Sequence, residues 1–190
     1  KNAPIAVGIR GDASPLEALD FWGEFCYELG KYQLAEMEDA NDIKAFAFDA
    51  GAVYVFDVAW EPALALSYTF ASGDNDVDDK HEFFNPFFNY NYYGYAFTPR
   101  ISNIGILNAQ VSILPSEATT FVLDFFYYMQ NKKAAMSMGD PNQDNGGVMA
   151  MTNGEDKDLG MELDFIFEYD YTEDLSTQLV AAWFKPGDAY

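Results

Sequence analysis

The chain has 190 residues and a formal net charge of −21, from 31 acids against 10 Lys and Arg. That balance argues against nucleic acid, whose phosphates need Lys and Arg, and against electrostatic attachment to anionic lipid surfaces. It holds one cysteine, Cys26, so an internal disulfide is excluded, and no run of about twenty apolar residues that would form a transmembrane helix.

Alternation of apolar and polar side chains, the period of a β-strand, recurs along the chain. It predicts eight strands, at residues 4–10, 18–30, 45–59, 63–72, 103–114, 119–130, 158–171 and 175–184. In the second, Leu19, Phe21, Phe25, Tyr27 and Leu29 oppose Asp20, Trp22, Glu24, Cys26 and Glu28. The third is noisier, with Phe46, Phe48, Tyr54, Phe56 and Trp60 opposing Asp49, Val53, Val55 and Asp57. In the fourth, Leu64, Leu66, Tyr68 and Phe70 oppose small residues; in the sixth, Phe121, Leu123, Phe125, Tyr127 and Met129 oppose Val122, Asp124, Phe126, Tyr128 and Gln130. The seventh reads MELDFIFEYDY, with Leu163, Phe165 and Phe167 on one parity and Glu162, Asp164, Glu168 and Asp170 on the other.

The connections separate a soluble sandwich from a membrane barrel. GDASPLE, EPA, PSEA and TED are short and rich in turn residues. The connections between them, about 31–44, 73–102 and 131–157, are long. Strict alternation of short and long connections is the habit of transmembrane barrels, with tight turns on one side and long loops on the other. Aromatics make up 17 % of the chain. Trp60 and Tyr171 fall beside short turns, and Tyr68, Phe70 and Trp183 near the opposite strand ends, as two membrane interfaces would place them. The expected fold is therefore all-β: an antiparallel up-and-down transmembrane β-barrel in a single domain, residues 1–190. A carboxylate in lipid costs several kcal/mol, so Asp20, Glu24, Glu28, Asp49, Asp57, Asp124, Glu162, Asp164, Glu168 and Asp170 are expected to line a wet lumen.

Two loops stand out. GDNDVDDK at 73–80 gathers Asp74, Asp76 and Asp78, oxygen ligands of the kind that hold Ca²⁺. The EF-hand pattern fails there: its sixth position is Asp79 rather than Gly, and its twelfth is Asn85. A solvated loop is the plainer reading, and no other cofactor is implied. The stretch FFNPFFNYNYYGYAF at 83–97 contains Phe87, Phe88, Tyr90, Tyr92, Tyr93 and Tyr95 outside any clean strand. One reading folds it into the lumen, where rings stack on sugar faces. The plainer one is a loop that builds its own small hydrophobic core or packs on a neighbouring subunit. Catalysis has no support: His81 is the only histidine, without a nucleophile or carboxylate pair at catalytic spacing. Cys26 falls among carboxylates that keep it a thiol.

Four stretches carry a family resemblance. GKYQLAEMEDANDIKAFAFDAGAVYVF at 30–56, YTFASGD at 68–74, DLGMELDFIFEYDYTEDLS at 158–176 and FKPGDAY at 184–190 resemble the C-terminal part of the alginate-export family of outer-membrane barrels. The resemblance implies a larger barrel, commonly eighteen-stranded, in the outer membrane of a Gram-negative bacterium, passing solutes or a polysaccharide. It implies that the eight strands here are part of that barrel; the alternative is a complete small barrel with Tyr190 as its terminal aromatic. The acid excess departs from what a polyanion conduit needs and points to a cation-preferring pore. Two alternatives stay open: a non-conducting barrel that meets envelope proteins or copies of itself, and a soluble lipocalin-like binding barrel.

Overall fold

The computed structural model describes residues 3–32, 41–74, 80–84, 93–99, 101–133 and 152–190. These form one all-β sheet: β1 (Ala3–Leu16), β2 (Leu19–Tyr32), β3 (Asn41–Val55), β4 (Ala63–Ala71), β5 (Lys80–His81), β6 (Ile104–Ser116), β7 (Thr119–Gln130), β8 (Asp158–Thr172) and β9 (Leu175–Pro186). The eight long strands are antiparallel neighbours in the order β1-β2-β3-β4-β6-β7-β8-β9. The two-residue β5 adds to β3 in parallel. The sheet is open, with β1 at one edge and β9 at the other.

Residues directly opposite each other in a ladder share a face. The register therefore extends the local alternation across the whole sheet. One continuous row runs Ile9, Phe25, Phe48, Phe70, Gly105, Met129. Another runs Leu66, Ala109, Phe125, Leu163, Trp183. This face is apolar from edge to edge, and Ile9, Phe25, Leu66, Leu123, Leu163, Phe165 and Trp183 stand exposed on it. Rings lie against one another there: Phe46 and Phe48 each stack on Phe70 with centroids 5.3 Å apart.

The short turns are 17–18, 117–118 and 173–174. Two of them repeat a Pro-X-Glu-Ala sequence, at Pro15–Ala18 and Pro115–Ala118. Each proline sits where the hairpin register shifts, a break that tolerates its missing N–H. The strand β1 thus runs on through GDASPL to Leu16, beyond its expected end at residue 10. Neighbouring turns are tied together: Val55 N donates to Ala18 O at 2.8 Å and Asp170 N to Ala118 O at 2.9 Å.

The turn after β3 differs from expectation. The strand β3 ends at Val55, and 56–62 forms a wider turn with Trp60 and Glu61 at positive φ, 72° and 42°. This connection is nearly as long as 33–40, so the contrast in lengths is weak for that pair and strong for the others. Asp57 consequently lies off the ladder, exposed in the turn. Its expected place on the polar face is corrected.

The core lies on the other face of the sheet, at the end carrying the long connections. Ile43, Ala45, Ala47, Ala71, Ile104, Ile106, Phe126 and Tyr128 are buried there, beneath Phe84, Phe97 and Ile101 from the connection between β4 and β6.

Candidate functional site

Beyond this core the same face becomes polar. Asp20, Glu24, Glu28, Asp49, Asp124, Glu162, Asp164, Glu168 and Asp170 share it, as the pairings Glu24 with Asp49 and Asp124 with Asp164 require. Their hydrogen-bond partners are mostly neutral. Ser14 Oγ donates to Asp20 at 2.5 Å, and Trp22 Nε1 and Thr69 Oγ1 donate to Asp49 at 2.6 and 2.5 Å. Asp124 accepts from Asn108 and, at 3.0 Å, from Gln110; Glu168 accepts from Gln178 at 2.6 Å. Arg10 supplies a cation near the β1 edge, 3.1 Å from Asp12 and 3.7 Å from Glu24. Neutral donors orient a carboxylate without adding a countercharge.

Glu28, Asp124, Glu162 and Asp164 depart from the expectation of acids facing open water: all four are buried, Glu162 and Asp164 most completely. These two are 0 % exposed. Segment 93–99 lies over them. The backbone N–H groups of Tyr95 and Ala96 each donate to Glu162 Oε1 at 2.7 Å, and that of Phe97 donates to Oε2 at 2.7 Å. Tyr95 N also lies 3.2 Å from Asp164 Oδ2. Asp164 Oδ1 is buried without a hydrogen-bond partner among the described residues. Three successive N–H groups converging on one anion form a nest, here filled by the chain's own carboxylate.

The rest of the segment crosses the sheet. Tyr128 donates its hydroxyl to Tyr93 O at 2.6 Å, from β7. The Tyr93 hydroxyl is 3.3 Å from Thr69 Oγ1 on β4; Thr69 gives its own proton to Asp49, so Tyr93 is the donor. Phe97 stacks on Phe184 of β9, centroids 4.4 Å apart and planes 1° from parallel, and lies 4.8 Å from Tyr128. Gly94 makes the crossing possible. Its φ is 110°, and a Cβ there would meet the Tyr128 hydroxyl at 2.5 Å and Phe97 O at 2.7 Å.

Of the loop aromatics, Tyr93 is half-buried and Tyr95 is exposed. Phe87, Phe88, Tyr90 and Tyr92 lie outside the described residues, as do Asp76 and Asp78. Asp74 Oδ2 accepts from Glu82 N at 3.2 Å, serving its own loop. Among the described residues no group of three or more His, Cys, Asp or Glu is arranged to hold a metal ion. Gly94 and Phe97 do not stand out as individual residues in the sequence. The signal for Gly94 was one glycine in a run of large rings, the place where a backbone must come close to something.

A model of the family described as alginate export matches residues 2–190. Curated proteins give no match. A nearly full-length match agrees with the strand-and-turn stretches noted above, and the chain belongs to the alginate-export family.

Proposed function

We propose that the eight strands form part of the wall of a transmembrane β-barrel in the outer membrane of a Gram-negative bacterium, and that the polar face lines a conduit for passive passage of solutes or a polysaccharide. One observation carries this reading: the opposite face is apolar and exposed across all eight strands. An exposed apolar surface of that extent needs a cover, and lipid covers it without a specific partner. The strands run from 9 to 15 residues, against about 9–11 needed for a tilted crossing.

Asp20 and Glu168, which are not buried, accept from neutral donors with no cation beside them in those bonds, which supports a preference for cations. Low-dielectric walls focus the field of such carboxylates, and salt screens it over about 8 Å at physiological ionic strength. In a planar bilayer under a KCl gradient, the reversal potential of the intact protein should favour K⁺, less so as salt rises. Anion selectivity would reject the cation preference and return a polyanion to the lead. A second reading, a non-conducting barrel held in an envelope complex, draws on segment 93–99, which covers part of the polar face. Absence of conductance in a correctly folded protein would favour it.

A further inference from the structure

We infer that Glu162 is a positioning residue, whose buried carboxylate gathers the backbone N–H groups of Tyr95, Ala96 and Phe97 and so sets segment 93–99 as the narrowing of the conduit. The inference rests on the conduit reading above. It starts from hydrogen-bond satisfaction. A backbone N–H buried without an acceptor is costly, and segment 93–99 runs over the face of a sheet whose own backbone groups are paired within it. It can lie there only if the face supplies acceptors. Glu162 supplies them to three successive residues, and bonds to a charged acceptor are stronger than bonds between neutral groups.

The neighbouring groups orient the segment without replacing that function. Tyr128 fixes one carbonyl, Tyr93 O. Phe97 fills the space against Phe184. With the segment seated, the Tyr95 ring stands exposed beside the polar face, and Tyr93 reaches Thr69 on the far side of β6. The arrangement spans β4 to β9, so a solute moving along the polar face meets it.

Two substitutions separate geometry from charge. In Glu162→Gln the amide oxygen can still accept, but its NH₂ group meets an N–H donor instead of an acceptor. In Gly94→Ala the carboxylate keeps its charge, and the new Cβ collides with the Tyr128 hydroxyl, Phe97 O and the Glu162 carboxyl carbon, so the segment and its acceptor are forced apart. Both variants should speed hydrogen–deuterium exchange at residues 95–97 by about tenfold or more, as expected for lost bonds to a charged acceptor or lost access to it. Both should also raise single-channel conductance in KCl. Exchange is read on protein folded in vesicles, with heat-modifiable electrophoretic mobility confirming the barrel, and does not depend on conduction. Unchanged exchange in both Glu162→Gln and Glu162→Ala would overturn the positioning function. Faster exchange with unchanged conductance would overturn the narrowing. If the wild-type protein does not conduct, the conduit reading fails by itself, the narrowing falls with it, and exchange still decides whether Glu162 holds the segment.

Discussion

The backbone N–H of Tyr95 donates to Glu162 at 2.7 Å across 67 residues of chain. This one bond joins the aromatic stretch to the acid-alternating strand. It makes part of the carboxylate pattern in β8 structural: Glu162 and Asp164 receive a loop, while Glu168 and Asp170, nearer the turn, receive none among the described residues.

The apolar face gives the most direct stability prediction. Phe165 is exposed on that face and lies opposite Leu123. Placing a cation there as Phe165→Arg should cost roughly 2–4 kcal/mol if the site is near mid-membrane depth. Urea unfolding in lipid vesicles reads the loss. A change within about 0.5 kcal/mol, the range of ordinary surface substitutions, would mean that this face does not meet lipid.

A second prediction concerns the polar face. Asp49 accepts from both Trp22 and Thr69. In Asp49→Ala those donors lose that acceptor; Thr69 is buried, and leaving a buried donor unsatisfied costs about 1–3 kcal/mol. Trp22 fluorescence should shift as its indole N–H changes partner, and the unfolding midpoint should fall. Asp49→Asn should lose less, because its carbonyl can keep one of the two bonds.

A third concerns the ring stack. Phe97 is buried against Phe184 and Tyr128. Truncation of a buried Phe costs about 3–5 kcal/mol. In Phe97→Ala the loss should appear as local opening of 93–99, measured by native-state exchange, with little effect on amides at the turn end of β6 and β7. An equal rise in exchange throughout the sheet would show that the segment is part of the global folding unit.

The strands were legible where one face is apolar and the other polar or small, as in β2, β4 and β8; in β7 the other face also carries Phe126 and Tyr128 of the core, and Asp124 and Gln130 mark it. Where both faces are apolar the signal fades. Ile43, Ala45 and Ala47 of β3 sit in the core while Phe46 faces the other way, and the start of β3 was missed by four residues. The strand β5 is two residues long, too short for any period to register. At the site, the carboxylates were legible as a face but the bond between Glu162 and segment 93–99 was not. Its donors are backbone N–H groups, which every non-proline residue carries, so no side-chain pattern marks them. Position 57 fails for a related reason: its parity is right for the strand, but the strand ends two residues earlier.

A pH prediction applies to the turn leading into β8. Asp156 Oδ1 accepts from Lys157 N at 2.6 Å and from Asp158 N at 3.1 Å. These backbone bonds, first of all that from Asp158, hold its pKa below the ordinary 3.8. A carboxyl depressed in the folded state contributes stability that is present above the unfolded pKa and lost as pH falls through the folded one. The pH titration of the Lys157 and Asp158 amide chemical shifts should therefore have its midpoint below 3.8. Movement centred near pH 5 would contradict the bonding.

The central claim is that the apolar face of this sheet meets lipid and the polar face does not. Spin labels placed one at a time at residues 163–168, in a Cys26→Ser background, test it in vesicles. Collision with lipid-soluble oxygen should peak at positions 163, 165 and 167 and fall at 164, 166 and 168; a water-soluble nickel chelate should not reach the first set. Free access of the chelate to positions 163 and 165, or no alternation between the two sets, would contradict the account.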